Sequence, residues 1–204
     1  MIKATVGQNL DIWIHRLFPF LFRTKLDPNA LTITGALVST AAAAAFAADS
    51  PHLAAVLILA GGFFDLVDGV VARHYGIATR FGAFLDSTLD RWVDAVLLVG
   101  ISVHYARAGA PQYVALAGLA LSATVLVSYT KARAELVLDH FEVGLLERAE
   151  RVVILAAGAL FGVLVAALWV IAVGSAITAG QRIALAYREM QRLDAAEGKQ
   201  EQPR

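Results

Sequence analysis

The sequence predicts an all-α integral membrane protein with six transmembrane helices and an N-terminal amphipathic helix in the membrane interface. Two observations predict this class. First, 58% of the 204 residues are hydrophobic and only 17% are charged, whereas soluble domains usually have about 25% charged and about 45–50% apolar residues. Second, six apolar segments approach or exceed the roughly 20 residues that a helix needs to cross a bilayer.

The six predicted spans are separated by residues that interrupt helices. The spans are 31–48, 53–74, 82–106, 111–136, 147–162 and 163–187. The first four boundaries are marked by Ser50-Pro51, by Gly76, by the run from Ala108 to Pro111, and by Gly144. The fifth boundary depends only on Gly158 and Gly162, so one long bent helix is the alternative there.

The segment before the first span has the pattern of an amphipathic helix. Within residues 5–22, apolar side chains recur at helical spacing, with Arg16 among the polar positions. They are Ile12, Trp13, Leu17 and Leu21. A helix of this kind lies in the interface plane; a cytosolic lead-in without membrane contact is the alternative.

The segment after Tyr187 is polar and charged, which predicts a helix end that fades into disorder. The predicted organisation is therefore a cytoplasmic or interfacial helix (1–27), a six-helix membrane domain (28–190) and a flexible cytoplasmic tail (191–204).

The basic residues set the expected orientation. With six spans, every Lys and Arg except Arg107 falls on one side or in the adjoining helix ends. The positive-inside rule puts that side in the cytoplasm, so we expect a multi-pass protein of the cell (inner) membrane with both termini cytoplasmic. Acidic and basic residues are equal at 17 each and cysteine is absent. No nucleic-acid partner is expected, and thiolate chemistry is excluded.

Carboxylates inside the second and third spans are the strongest functional signal. Asp65 and Asp68 have i, i+3 spacing, and Asp86 and Asp90 have i, i+4 spacing, so each pair lies on one helix face. A central Asp costs about 2.5–3.5 kcal/mol on insertion into a bilayer, and intramembrane acids usually mark function. The short connection makes the two helices antiparallel neighbours, so both pairs should meet near the cytoplasmic side.

Four converging carboxylates, with no lysine among them, predict bound cations. Oxygen ligands favour Mg²⁺ or Mn²⁺, and two divalent ions would neutralise four charges. This is the arrangement of a two-metal phosphoryl-transfer site. Arg73, two turns after Asp65, is a possible phosphate partner. Asp94 continues the row of acids, and the sequence leaves open whether it supports the site or only lines a cavity.

The segment Asp65-x2-Asp68-Gly69-x2-Ala72-Arg73-x8-Gly82-x3-Asp86-x3-Asp90 resembles the signature of the CDP-alcohol phosphotransferase family. The resemblance implies an enzyme that transfers the phosphatidyl group of CDP-diacylglycerol, or of a related CDP-linked lipid, to an alcohol and releases CMP. It also implies a homodimer.

The resemblance assigns residues to roles. The metal ligands are Asp65, Asp68, Asp86 and Asp90, and Asp90 is also the catalytic base. The CDP-lipid contacts are Asn29, Thr32, Gly69, Ala72, Arg73 and Thr79. From the sequence alone, Asn29 would be a helix cap, and both roles are compatible.

A second set of residues bears on the acceptor alcohol. Ser128-Tyr129-x-Lys131-Ala132-Arg133-Ala134-Glu135, Glu147-Arg148-x-Glu150-Arg151 and Gln181-Arg182 resemble runs of the phosphatidylinositol-phosphate synthase branch. That branch implies inositol 1-phosphate as the acceptor, with its phosphate held by Ser128, Lys131, Arg151 and Arg182. Ordinary positive-inside anchoring is the alternative for any one cation; Arg133 and Arg148 are expected to be anchors or partners of nearby glutamates.

Two other functions remain open on these residues. A phosphatidylglycerophosphate synthase would use glycerol 3-phosphate, which is also a phosphorylated alcohol. A divalent-cation transporter would explain acids in a membrane, but such sites usually lie near the midplane of repeat-symmetric folds, and no repeat is visible here.

Overall fold

The computed structural model describes residues 26–138 and 141–200 and is helical throughout its regular structure. These residues form six helices: α1 (Pro28–Ala47), α2 (Pro51–His74), α3 (Arg80–Arg107), α4 (Pro111–Ala134), α5 (Arg148–Leu160) and α6 (Leu164–Gln200). The boundaries follow the predicted ones closely from α1 to α5. The predicted amphipathic helix at 5–22 lies outside the described residues.

Four of the helices, α1, α2, α4 and α6, are long and apolar enough to cross a membrane. Helix α3 has 28 residues, about 42 Å at 1.5 Å per residue, but its first half carries Asp86, Asp90, Arg91 and Asp94. Helix α5 has only 13 residues, which is about 20 Å. These two helices carry many of the charged side chains of the site described below, and this lowers their mean hydropathy.

Helices α5 and α6 are separate helices. Helix α5 ends at Leu160 and α6 begins at Leu164. Between them, Gly162 has φ +71°, a left-handed conformation that glycine adopts without steric cost. The alternative of one long bent helix is therefore wrong.

Helix α6 differs from the sequence expectation at its C-terminal end. It does not fade after Tyr187 but continues to Gln200, so much of the segment expected to be a flexible tail is helical. Side-chain pairs support the extension: Gln191 donates to the Tyr187 hydroxyl at 2.7 Å, and Arg192 pairs with Glu189 at 2.8 Å. The segment is also rich in Glu, Gln, Arg, Leu and Ala, which have high helix propensity.

The core is built from small residues and a few large apolar ones. Helix α1 packs against α2 and α3, α4 packs against α3 and α6, and α5 packs against α2 and α6. Phe46, Ile58, Leu97, Ile101 and Leu168 are the largest fully buried apolar side chains. Many large apolar side chains remain exposed, including Leu37, Phe84 and Phe161, as a surface facing lipid would require.

The segment between α4 and α5 is attached to α6 and closes one end of the bundle. Leu138 and Phe141 are buried against α6 residues that include Leu185 and Met190. The Leu146 N–H donates to the Thr178 hydroxyl at 3.0 Å. This attachment fixes the start of α5 beside α3, where the acidic residues lie.

Candidate active site

Three predicted metal ligands converge as the sequence indicates. One carboxylate oxygen from each of Asp65, Asp68 and Asp86 lies within 4.8 Å of the other two. They meet because α1 packs against both α2 and α3. Only five residues separate the end of α2 at His74 from the start of α3 at Arg80, so these acids lie at the same end of the bundle. Oxygen ligands at this separation fit a hard divalent cation.

Asp68 is the most enclosed of these acids. It is 6% exposed, and the hydroxyl of Thr32 donates a hydrogen bond to its carboxylate. The same hydroxyl lies 2.9 Å from the Pro28 carbonyl, one turn earlier in α1. Thr32 therefore connects the start of α1 to the acidic cluster.

Asp90 is not a member of this group of three acids, but it shares an arginine with Asp65. Arg148, at the start of α5, places Nη2 3.0 Å from Asp90 Oδ1 and Nη1 2.6 Å from Asp65 Oδ2. One guanidinium thus bridges α2 and α3 through two charge-assisted bonds. The expectation that Arg148 would anchor the membrane or pair with a glutamate is wrong.

The sequence missed this role of Arg148 because its partners are distant in the chain. The sequence predicts four carboxylates with no lysine among them, and in the structure Arg148 supplies one positive charge to them. Its remaining Nε is buried without a hydrogen-bond partner among the described residues. The only sequence feature that could have indicated this role is the position of Arg148 at the predicted cytoplasmic start of a helix, at the level of the acids.

A cavity of about 370 Å³ opens beside the acidic cluster. It is lined by all six residues predicted to contact the CDP-lipid, namely Asn29, Thr32, Gly69, Ala72, Arg73 and Thr79, together with Asp68 and Asp86. Below we call it the nucleotide cavity. The structure therefore brings together residues from α1, α2 and the start of α3 that are separated by more than fifty positions in the sequence.

Local capping shapes the rim of the nucleotide cavity. Asp27, not Asn29, is the N-cap of α1, and its carboxylate accepts from the Asn29 N–H at 3.0 Å, so the prediction that Asn29 caps the helix is wrong. Thr79 caps α3 and accepts from the Gly82 N–H at 2.9 Å. A Cβ at Gly82 would lie 3.1 Å from the Asn29 side-chain oxygen, so glycine lets α1 and α3 approach here.

A second cavity, of about 190 Å³, lies on the Asp90 side of the acids. It is lined by all four residues predicted to bind an acceptor phosphate, Ser128, Lys131, Arg151 and Arg182, and also by Asp90 and Arg148. Below we call it the acceptor cavity. Basic residues from α4, α5 and α6 are thus assembled around one space.

Two cations of the acceptor cavity are buried and fixed. Arg182 is 4% exposed, with Nε donating to the Val143 carbonyl at 2.9 Å and Nη1 donating to the Val127 carbonyl at 2.5 Å. Arg151 is 5% exposed and pairs with Asp94 at 2.6 Å. Asp94, whose role the sequence left open, therefore supports a cation of the acceptor cavity and also lines that cavity.

Lys131 lies at the acceptor cavity, whereas Arg133 does not. Lys131 lines the acceptor cavity and lies 3.6 Å from Glu135, with 38% of its side chain exposed. Arg133 is exposed and is not among the residues that line the cavity. Lys131 is thus a partly exposed cation beside two buried ones.

Comparison with known proteins identifies the family. A family model described as CDP-alcohol phosphatidyltransferase matches residues 25–180. The chain belongs to this family. The match spans α1 to α5 and α6 as far as its middle, and it includes Asp65, Asp68, Asp86, Asp90 and Asp94. Of the residues that line the two cavities, only Arg182 lies beyond it. It favours an enzyme over the cation-transporter alternative.

Two curated relatives are inositol phosphate lipid synthases by name. The chain is 43% identical over 147 residues to an archaetidylinositol phosphate synthase of Methanothermobacter thermautotrophicus, covering 72% of this chain and 73% of the relative. It is 40% identical over 192 residues to a phosphatidylinositol phosphate synthase of Streptomyces avermitilis, covering 87% and 79%.

Solved structures of similar proteins agree in fold. The phosphatidylinositol phosphate synthase of Mycobacterium tuberculosis with CDP-DAG bound is 29% identical, covers 90% of this chain and 94% of its own, and gives a TM-score of 0.73. The same enzyme in complex with manganese and citrate is 32% identical, covers 83% and 86%, and gives a TM-score of 0.74. The family resemblance predicted from the sequence is therefore confirmed.

Proposed function

We propose that this chain transfers the phosphatidyl group of CDP-diacylglycerol, or the equivalent group of a related CDP-linked lipid, to inositol 1-phosphate. The products are a phosphatidylinositol phosphate and CMP. The observation that carries the choice of acceptor is the set of cations around the acceptor cavity. Lys131, Arg151 and Arg182 all line a cavity that also contains Asp90, and an unphosphorylated alcohol would not need three cations.

The two cavities suit the two substrates. The nucleotide cavity, with Asp68 and Asp86 in its wall, suits the CDP-linked pyrophosphate. The acceptor cavity, with Asp90 in its wall, suits the phosphorylated alcohol. The attacking hydroxyl, beside Asp90, would then approach the phosphorus from the side opposite the leaving CMP, as in-line displacement requires.

The donor set fits two divalent cations, Mg²⁺ or Mn²⁺. Asp65, Asp68 and Asp86 already present oxygens close together, and Arg148 uses one oxygen each of Asp65 and Asp90, so the other oxygen of each is not engaged by that guanidinium. The relative bound to manganese supports the same class of metal. Such ions would draw charge from the pyrophosphate oxygens and stabilise the leaving CMP.

The residues of the chain supply orientation and proton transfer. Asn29, Thr32, Gly69, Ala72, Arg73 and Thr79 would hold the CDP moiety, and Ser128, Lys131, Arg151 and Arg182 the acceptor phosphate. Asp90 accepts the proton of the attacking hydroxyl. The acceptor oxygen bonds to the lipid-side phosphorus while that phosphorus loses its oxygen bridge to CMP.

The experiment that tests the function uses purified protein in detergent with Mg²⁺ and CDP-diacylglycerol. Release of CMP is measured with inositol 1-phosphate, glycerol 3-phosphate and inositol. We expect turnover with inositol 1-phosphate only. Preferential use of glycerol 3-phosphate would identify a phosphatidylglycerophosphate synthase instead, and no CMP release with any alcohol would contradict the proposal.

We also propose six membrane spans, with the interfacial helix, both termini and the active site on the cytoplasmic side of the membrane. Apart from Arg107, the described Lys and Arg residues lie in the segments on the same side as the acids in the six-span arrangement, whereas Arg107 donates to the Ala47 carbonyl at 2.6 Å at the opposite end. Since the chain has no cysteine, single-cysteine variants report sidedness without background. Leu136→Cys should react with a membrane-impermeant thiol reagent only in inverted vesicles, and Ala108→Cys only in right-side-out cells.

The domain organisation remains part of the proposal: an N-terminal cytoplasmic or interfacial helix (1–27), a six-helix membrane domain (28–190) and a cytoplasmic tail (191–204). We further propose a homodimer, which the family resemblance implies and which small-residue-rich helices permit. Native mass spectrometry in detergent should give twice the chain mass of 21.7 kDa. A monomer that retains full activity would contradict this assembly.

A further inference from the structure

Besides the acceptor cavity, Arg151 borders a further, smaller cavity inside the bundle. This interior cavity has a volume of about 20 Å³ and is lined by Asp94, Thr124 and Arg151 and otherwise by aliphatic side chains. One buried water needs about 10–15 Å³ and two to four polar partners. The interior cavity has room for one water and offers three polar residues.

Two buried polar atoms at the interior cavity lack hydrogen-bond partners among the described residues. They are the Thr124 hydroxyl oxygen and Arg151 Nε, and Thr124 is only 2% exposed. Other hydroxyls on the same helix bond to the carbonyl one turn earlier, as Ser122 does to Gly118 and Thr130 to Leu126. Buried polar atoms are rarely left unpaired, so the Thr124 hydroxyl remains available to a partner in the cavity.

The donors of Arg151 can be counted. A guanidinium has five N–H groups. Nη2 uses one on Asp94 at 2.6 Å, and Nη1 makes a long contact of 3.5 Å to the Leu146 carbonyl. If Nε is satisfied in the interior cavity, one N–H of each Nη remains for an anion in the acceptor cavity, in the fork geometry that suits phosphate.

We propose that Thr124 and Asp94 are positioning residues for Arg151, with Thr124 acting through one water held between its hydroxyl and Arg151 Nε. The water and the Asp94 carboxylate fix the guanidinium from inside the bundle, so that its free N–H groups face the acceptor phosphate. This inference rests on the proposed function, because it assumes that Arg151 binds the acceptor. Neither Thr124 nor Asp94 touches the substrate's reacting atoms.

The test compares Thr124→Val, which keeps the side-chain shape and removes the hydroxyl, with Thr124→Ser, which keeps the hydroxyl. Thr124→Val should raise the KM for inositol 1-phosphate about fivefold, the factor expected for one net hydrogen bond. The kcat and the KM for CDP-diacylglycerol should change less than twofold. Thr124→Ser should resemble the wild type, and Thr130→Val on the same helix is the matched control.

Asp94→Asn keeps the shape of Asp94 and removes its charge. Because it breaks a charge-assisted bond, it should raise the same KM by more than Thr124→Val does. A Thr124→Val enzyme with an unchanged acceptor KM, or with equal losses for both substrates, overturns the inference.

A crystal or cryo-EM structure of the wild type at a resolution that shows waters gives a readout independent of activity. Density between Thr124 Oγ1 and Arg151 Nε supports the inference, and a dry cavity overturns it, even if Thr124→Val fails to fold. Wild-type protein that does not consume inositol 1-phosphate would instead contradict the proposed function, while the density still decides this inference.

Discussion

Arg148 Nη2 lies 3.0 Å from Asp90 Oδ1, and this contact joins the first residue of α5 to the acid proposed as the catalytic base. The same guanidinium reaches Asp65 on α2. Its side chain is 25% exposed, and those of Asp65 and Asp90 are 29% and 23% exposed. Arg148 thus holds two of the four proposed metal ligands in place through one oxygen of each.

Replacing Arg148 should therefore make the protein depend more on its metal. In Arg148→Met, two half-buried carboxylates lose their cation, which should cost about 1–3 kcal/mol of stability in EDTA. A bound divalent ion would offset part of this loss. We expect the increase in Tm on adding Mn²⁺ to be larger in Arg148→Met than in the wild type. Arg192→Met, which removes an exposed arginine paired with Glu189, is the control. An equal Mn²⁺-induced increase in Tm in Arg148→Met and Arg192→Met would contradict the bridging role of Arg148.

Asp90→Asn should abolish turnover and leave nucleotide binding largely intact. Asparagine can still accept from Arg148, but it cannot take a proton from the acceptor hydroxyl, so kcat should fall by about 10²–10⁴-fold. Binding of CDP-diacylglycerol, measured by microscale thermophoresis in detergent, should change little. Asp194→Asn, exposed on α6, is the control. Normal turnover in Asp90→Asn would remove Asp90 from the mechanism.

Removing the metal should stop the reaction reversibly. EDTA should abolish CMP release, and Mg²⁺ or Mn²⁺ should restore it. Asp68→Asn and Asp86→Asn should each weaken Mn²⁺ binding, observed by electron paramagnetic resonance, because each loses a charged ligand. Unchanged Mn²⁺ affinity in both variants would place the metal elsewhere.

Lys131→Ala is a cleaner probe of the acceptor cavity than Arg182→Ala. Arg182 donates to two backbone carbonyls, so its removal should reduce stability as well as acceptor binding. Lys131 is partly exposed and forms an ion pair with Glu135 at 3.6 Å. Lys131→Ala should raise the KM for inositol 1-phosphate about 10-fold or more, as for the loss of a charge-assisted bond, with little change in Tm. Arg133→Ala should change neither quantity, and an equal effect of both variants would indicate long-range attraction instead.

The contact between α1 and α3 should be sensitive to one methyl group. A Cβ at Gly100 would lie 2.8 Å from the Ala43 Cα and 2.9 Å from its carbonyl carbon, so Gly100→Ala must push the two helices apart. We expect a loss of about 1–3 kcal/mol, seen as a lower Tm in detergent. Gly118→Ala, with open space around the added Cβ, should leave Tm unchanged or raise it.

The amino-acid sequence by itself determined the helices and the residue types of the site. Long apolar runs separated by Pro and Gly can only satisfy their backbone groups as helices, and this fixed α1 to α5 to within a few residues. The spacing of Asp65, Asp68, Asp86 and Asp90 also determined that they share helix faces, because helical periodicity is local.

The tertiary structure decided which acidic and basic side chains form ion pairs. Arg148 pairs with Asp65, 83 positions away, and Arg151 pairs with Asp94, 57 positions away. No local pattern encodes these pairs, since they depend on where the start of α5 lies relative to the acids of α2 and α3. The same holds for the nucleotide and acceptor cavities, which exist only between packed helices. The physical reason is that helix formation depends on neighbours in sequence, whereas ion pairing and cavity shape depend on neighbours in space.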